Sequence, residues 1–147
     1  MLRLHTLSDI MSRELVTLRE EDSLAGLAHA MDSMKYRYLP VVDERRLVGL
    51  VTHRQLLRDT GQGPVLPLEG DVAQPNLQAQ TFVGAVMNRS PRTGTMATLV
   101  SEAARWLLED GVPCILVVDD EGMLLGIVTR DDVLRLAVAL LNEVEAS

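Results

Sequence analysis

The residues best suited to chemistry lie near the end of the chain, in the segment Thr129-Arg130-Asp131-Asp132. It combines a hydroxyl with an acid three positions later, and a carboxylate with two acceptor oxygens suits a vicinal diol. Arg130 adds a partner for phosphate at the predicted start of a helix. The same spacing also fits a capping box, in which the threonine holds a backbone N–H and the acid reaches back. On the residues alone, the capping interpretation of Asp132 is favoured.

A second segment of the same form, Thr52-His53-Arg54-Gln55, departs from the first at its last residue. A glutamine side chain has one acceptor oxygen and no charge, so Gln55 is a poor partner for a diol. Thr52 and Gln55 fit a helix cap equally well. Of the two segments, only the one that ends in Asp132 carries an acid suited to a diol, and the capping interpretation stays ahead for Gln55.

Other catalytic or metal-binding patterns do not stand out in the sequence. The histidines His5, His29 and His53 have no ligand-like spacing to each other or to Cys114. There is no Gly-x-Ser-x-Gly elbow and no glycine-rich phosphate loop ending in Lys-Ser/Thr. No nucleophile can be paired with a base. We therefore expect neither an enzyme nor a metal site.

Composition narrows the possible partners and the cellular location. The chain has 14 basic and 21 acidic side chains and a net charge of −7, which opposes attraction to a phosphate backbone, so we expect no nucleic-acid partner. No apolar stretch reaches the ~20 residues of a membrane span, and residues 1–5 lack the apolar stretch of a signal peptide. We therefore expect a cytoplasmic protein with no membrane partner. Cys114 lies within an apolar run, which predicts a buried and inert thiol.

An internal repeat organises the chain. Three pairs of matching residues are offset by 76 positions: Met11 with Met87, Thr17 with Thr93, and Asp43 with Asp119. Two later pairs are offset by 77 positions: Gly49 with Gly126, and Thr52 with Thr129. Chance does not produce so many equal offsets, so the sequence predicts two copies of one structural unit, with one residue inserted in a turn.

Each copy predicts the same series of elements. A short first strand is followed by apolar residues at helical spacing, then by two strands around a tight turn, and finally by a second helix. The predicted fold is α+β: two tandem βαββα repeats, with small mixed sheets packed against helices. The predicted domains are residues 1–58 for the first repeat and 83–147 for the second, which includes a C-terminal helix. Residues 59–82, rich in Gly, Pro and Gln, are predicted to form a linker.

Capping residues mark the predicted ends of the first helix in each copy. Asp22 or Ser23 is placed to cap the helix of the first copy. Gly111 is placed to end the helix of the second copy. In the second copy the two predicted strands, 114–118 and 123–128, flank a turn that contains Gly122.

The repeated motifs resemble the cystathionine-β-synthase (CBS) domain, which normally occurs as a tandem pair. The matching features are Val-Thr or Arg-Thr shortly after Met11 or Met87, the strand Leu-Pro-Val-Val-Asp, and the closing Gly-apolar-Val-Thr-x-x-(Asp/Gln). The resemblance covers residues 7–58 and 83–137. It implies a compact pair with pseudo-twofold symmetry and two clefts between the copies. It also implies a stand-alone regulatory module that binds AMP, ADP, ATP or S-adenosylmethionine, forms a homodimer and signals to a separate, unknown protein.

The resemblance also implies roles for particular residues. Asp132 would hold the ribose hydroxyls, and the Thr129 hydroxyl would lie near the phosphate. Backbone groups at Thr17 and Thr93 would recognise the adenine base. Further members of the implied site are the arginines available to a phosphate and the residue that precedes the closing threonine: Arg37, Arg92, Arg130 and Val128. The second copy lacks the basic residue that often precedes its first hairpin strand in the family, which argues against a triphosphate there.

A second functional interpretation needs no nucleotide. The acid is missing at Gln55, and the C-terminal segment from Val133 to Leu141 is rich in apolar residues. These features fit an interaction or dimerisation module, in which Thr129 and Asp132 act only as a helix cap. Its prediction is a stable dimer that nucleotides do not affect.

Overall fold

The computed structural model describes residues 4–59 and 81–146 of the chain. The predicted linker, residues 59–82, lies outside the described residues except at its ends. The chain divides into two compact units. Unit I combines Met1–Leu15 with Pro91–Ser147, and unit II is Val16–Ser90.

Unit II is built on an antiparallel hairpin. Its strands are β1 (Tyr38–Asp43) and β2 (Arg46–Thr52), which pair from Tyr38 opposite Thr52 to Asp43 opposite Arg46. The turn between them places Glu44 and Arg45 at positive φ, as the tightest hairpin turns require. The helices of the unit are α2 (Leu27–Met34), α3 (His53–Asp59) and α4 (Val83–Val86). The helix α1 (Leu7–Ile10) belongs to unit I.

Unit I contains a three-stranded sheet of order β3-β4-β5. The strands are β3 (Thr93–Gly94), β4 (Ile115–Val118) and β5 (Leu124–Val128); β3 runs parallel to β4, and β5 antiparallel. Helix α5 (Val100–Glu109) precedes β4, and helix α6 (Arg130–Ala146) follows β5 directly. The start of α6 therefore lies at the end of β5, which is an outer strand of the sheet.

Each unit has its own apolar core. In unit I, the spacing of apolar residues in the sequence explains which face of α5 is buried. On α5 the buried residues Val100, Ala103 and Leu107 recur at helical spacing. Gly111, at a φ of 67°, lies just beyond the end of α5 as predicted. The buried residues that pack together in the core of unit I include Leu7, Met11, Val100, Ala103, Leu107, Ile115, Val117 and Val128. Those in the core of unit II include Leu24, Met31, Leu39, Val41, Val51, Leu56, Val83 and Met87.

The predicted fold class, helices with small mixed sheets in two repeats, is confirmed. The second copy forms all the predicted elements, whereas the first strand of the first copy is reduced to a single bridge between Leu18 and Val41. The predicted cap of the first-copy helix is wrong. That helix begins after Gly26, because Asp22 and Ser23 accept backbone N–H groups in the turn before it.

The packing units do not coincide with the sequence repeats, because a short segment of each copy pairs with the hairpin of the other. Ser12 and Ile127 of unit I exchange two backbone hydrogen bonds of 2.9 and 3.0 Å. Asn88 and Leu50 of unit II do the same, with two bonds of 2.9 Å. In each bridge the hairpin residue, Ile127 or Leu50, forms backbone hydrogen bonds that the other strand of its hairpin does not supply.

Candidate ligand-binding site

The predicted site residues cluster where β5 passes into α6. Val128 ends β5 opposite Ile115 and is fully buried in the core of unit I. Its side chain is therefore unavailable to a ligand, and only its backbone can contribute. Thr129 follows, and α6 begins at Arg130. The strand thus fixes the backbone from which the threonine and the first turn of α6 project.

Asp132 is held against Thr129 by two hydrogen bonds to one of its oxygens. The backbone N–H of Thr129 donates to Oδ2 at 2.8 Å, and the Thr129 hydroxyl lies 3.1 Å from the same oxygen. The acid therefore reaches back over the helix start, which is one half of a capping box. These bonds fit the capping interpretation and also fix the carboxylate in place, so the ribose role of Asp132 stays a prediction.

The other oxygen of Asp132 has a partner that the sequence analysis missed. Nη1 of Arg135 lies 3.1 Å from Oδ1. The Arg135 side chain is 73% exposed, whereas that of Asp132 is 16% exposed. The spacing of three residues on a helix was the signal available in the sequence, since such residues are neighbours on the helix surface.

Arg130, predicted as a phosphate partner, is bound to the backbone of α5. Its Nη2 donates to the carbonyl oxygen of Leu107 at 2.6 Å. A positive charge near the carbonyl end of a helix is stabilising, because the last carbonyl groups carry partial negative charge. Arg130 would have to leave this carbonyl to reach a phosphate, and its phosphate role stays a prediction.

Arg92 and Thr93 lie at the same end of the sheet as Thr129, on the opposite outer strand. Because β3 is parallel to β4 and β5 is antiparallel to it, the start of β3 and the end of β5 lie at the same end of the strands. Two strand spacings separate them, about 10 Å. Thr93 is exposed. The Arg92 guanidinium pairs with Asp110 at 3.0 Å and lies 5.0 Å from the ring centre of Trp106.

Thr17 and Arg37, the remaining predicted residues, belong to unit II. Both are exposed. The carbonyl oxygen of Arg37 accepts a hydrogen bond of 2.9 Å from the backbone N–H of His53. Unit I brings together Arg92, Thr93 and residues 128–132 at one end of its sheet.

The equivalent junction of unit II, where β2 passes into α3, has different hydrogen bonds. The Thr52 hydroxyl accepts the backbone N–H of Gln55 at 3.0 Å, which is a helix cap. The side-chain amide of Gln55 donates to the carbonyl oxygen of Val86, the last residue of α4. A carboxylate cannot donate this bond, so glutamine has a structural role here that an aspartate could not fill.

The two matching junctions, each after a Gly-apolar-Val-Thr close, agree with a comparison against known families. The CBS domain family matches residues 7–60 and 83–139. The chain belongs to the CBS domain family. Both segments that carry the sequence repeat are included in the match.

Known CBS domain proteins resemble the chain over most of its length. A CBS domain-containing protein of Dictyostelium discoideum is 31% identical, covering 92% of this chain and 92% of its own. The chloroplastic CBS domain-containing protein CBSX2 of Arabidopsis thaliana is 30% identical over 97% of this chain and 68% of its own. The crystal structure of CBSX2 in complex with AMP matches with a TM-score of 0.75, covering 92% of this chain and 97% of that one.

The remaining chemical groups of residues 4–59 and 81–146 include possible metal ligands and one thiol. Among the described residues, no group of His, Cys, Asp and Glu side chains is placed to hold a metal ion. Cys114 is buried, and burial raises the pKa of its thiol to about 12, since desolvation disfavours the thiolate. No helix in the described part of the chain is long and apolar enough to cross a membrane.

Proposed function

We propose that this CBS pair is a regulatory module that binds an adenine nucleotide or a related adenosyl ligand at the β5–α6 junction of unit I. The observation that carries the proposal is the Asp132 carboxylate, which Thr129 holds in place where β5 passes into α6. The similarity to CBSX2, whose crystal structure contains AMP, supports the same ligand class. The proposal includes no catalytic step.

The hydrogen bonds at the junction suit the recognition of a ribose. A carboxylate fixed by a backbone N–H presents its remaining acceptor position without first losing conformational freedom, and such preorganisation favours binding. The Thr129 hydroxyl donates to Oδ2 of Asp132 and keeps its acceptor positions for a ligand hydroxyl. Thr93 is exposed on β3, and its backbone is the proposed contact of the base.

Among the possible ligands, AMP fits the charges of unit I better than ATP. Arg92 is bound to Asp110, and Arg130 to the carbonyl of Leu107. Each phosphate group added to the ligand would require another of these arginines to change partners. We therefore rank AMP ahead of ADP and ATP. S-adenosylmethionine, which carries no phosphate, remains in the set to be tested.

Regulation would follow from a difference in ligand affinity between two conformations of the protein. A ligand shifts such an equilibrium only by as much as it binds one state more tightly than the other. A separate protein that recognises one of the two states would then respond to the nucleotide. The proposal includes this separate partner protein and a cytoplasmic location.

Calorimetric titration with AMP, ADP, ATP and S-adenosylmethionine tests this function. Asp132→Ala should abolish saturable binding, because it removes the ribose acceptor. Asp131→Ala is the matched control, since it removes one charge from the exposed neighbouring position. Binding that Asp132→Ala leaves unchanged would overturn the assignment of the site, and no binding of any ligand would overturn the function.

A second candidate function, assembly through α6, is favoured by the exposure of that helix. None of its 17 residues is buried. Four large apolar side chains on it are more than half exposed: Leu134, Val138, Leu141 and Val144. Clustered exposed apolar side chains on one helix are typical of an interaction surface. A second copy of the chain is the proposed occupant, which gives a homodimer.

Sedimentation analysis with and without AMP separates the two candidates. The assembly function predicts a dimer that nucleotides do not affect and that Leu134→Glu dissociates. Ala139→Glu is the control, because it adds the same charge at an exposed position about 140° around the helix from Leu134. A monomeric wild type at micromolar concentration would exclude the assembly function.

A further inference from the structure

The Asp132 carboxylate has less free capacity than two ribose hydroxyls require. An ionised carboxylate offers about four acceptor positions on its two oxygens. Oδ2 accepts the N–H and the hydroxyl of Thr129, and Oδ1 accepts Nη1 of Arg135. Within the described part of the chain, one position on Oδ1 is left. A single ligand hydroxyl can bind there while Arg135 stays in place.

Arg135 can move more easily than Arg92 and Arg130, the other two arginines at this end of the sheet. Arg92 is held between Asp110 and the ring of Trp106, and Arg130 donates to a backbone carbonyl. The Arg135 side chain is 73% exposed and makes an ion pair within one turn of α6. Such exposed pairs are weak, and breaking one shifts an equilibrium by about fivefold at most.

We infer that Arg135 is a selectivity residue, which competes with one ribose hydroxyl for Oδ1 of Asp132. The inference rests on the proposed function and specifies how the site distinguishes a ribose from a 2′-deoxyribose. With Arg135 paired, a deoxyribose loses little, because only one hydroxyl can be accepted. With Arg135 displaced, both hydroxyls are accepted, and the preference for ribose rises.

Salt should act on this selectivity in a way that a structural role of Arg135 would not produce. Dissolved ions screen an exposed ion pair. Adenosine and 2′-deoxyadenosine are both uncharged, so their own attraction to the protein has no charge–charge component for salt to screen. The ratio of their dissociation constants should therefore rise with ionic strength in the wild type and stay constant in a variant without the guanidinium.

Titration with adenosine and 2′-deoxyadenosine at low and high salt is the experiment. For Arg135→Ala the ratio of dissociation constants, 2′-deoxyadenosine over adenosine, should rise by about two- to fivefold at low salt. Arg135→Lys should bring it back toward the wild-type value, because an ammonium group also donates to Oδ1. Arg105→Ala, at an exposed position on α5, is the control for lost charge.

The outcomes separate this inference from the function on which it rests. An unchanged ratio in Arg135→Ala, together with binding that Asp132→Ala abolishes, would overturn the selectivity role and leave the ribose site standing. Adenosine binding that Asp132→Ala does not affect would overturn both the selectivity role and the ribose site. No binding of either nucleoside to the wild type or to any variant would overturn the selectivity role, and the AMP titration would then decide the function.

Discussion

A Cβ atom on Gly49 would lie 2.6 Å from Sδ of Met87 and 3.0 Å from the carbonyl oxygen of Asn88. The same relationship recurs in unit I, where a Cβ on Gly126 would lie 2.9 Å from Sδ of Met11. Neither glycine has a positive φ, so each is required for the close approach of a neighbour and not for its backbone conformation. The methionines and glycines that repeat in the sequence are therefore packing partners, and each pair joins one copy to the hairpin of the other.

Alanine at either glycine should destabilise the fold by overpacking, by about 1–3 kcal/mol. Gly126→Ala should cost more than Gly49→Ala. Its Cβ would meet the backbone oxygen of Ser12 at 2.8 Å, whereas the nearest atoms to Gly49 belong to the flexible side chain of Met87. Urea denaturation of the two variants measures the difference. A Gly126→Ala variant as stable as the wild type would contradict the packing role.

A double-mutant cycle distinguishes the side-chain clash from the backbone clash. Met87→Ala should relieve part of the cost of Gly49→Ala, giving a favourable coupling energy. Met11→Ala should relieve less of the cost of Gly126→Ala, because the Ser12 carbonyl remains in the way. Equal coupling in the two cycles would mean that the backbone bridge adjusts freely.

The sequence predicted the repeat and its elements because apolar periodicity and turn residues are local signals. The exchange of short segments between copies was not predictable in this way. Met11 and Met87 have equivalent places in their repeats, and the offsets are the same whichever hairpin each one covers. The bond from Gln55 to Val86 was also missed, since it joins residues 31 positions apart. The Thr129–Asp132 pair was predicted because it lies within one turn.

Gln55→Glu should destabilise unit II without creating a second nucleotide site. The side-chain amide of Gln55 donates to the Val86 carbonyl, and a carboxylate would face that oxygen with no hydrogen to donate. Leaving a partly buried acceptor without its partner costs about 1–3 kcal/mol. Urea denaturation tests the loss, with Arg54→Ala, at an exposed neighbouring position, as control. Unchanged stability, or a doubled AMP stoichiometry in calorimetry, would contradict this prediction.

The buried thiol of Cys114 should make the protein less stable in alkali. Burial raises its pKa from 9.0 to about 12, so between these values the folded chain keeps a proton that the unfolded chain loses. The stabilisation is complete below pH 9 and is lost as pH rises toward 12, at about 1.4 kcal/mol per pH unit. Urea denaturation from pH 7 to 10 measures this slope. Cys114→Ala should flatten it above pH 9, and parallel curves for the two proteins would refute the prediction.

Phosphate binding by Arg92 should change the fluorescence of Trp106, which is the single tryptophan of the chain. The guanidinium lies 5.0 Å from the ring centre and is also paired with Asp110. A ligand phosphate that recruits Arg92 would remove a positive charge from the ring face, where cation–π attraction now holds it. AMP should therefore shift the emission, and adenosine, which has no phosphate, should not. Arg92→Ala should abolish the AMP response and weaken AMP binding without altering adenosine binding. An equal response to both ligands would mean that Arg92 keeps its present partners, and that the phosphate is bound elsewhere.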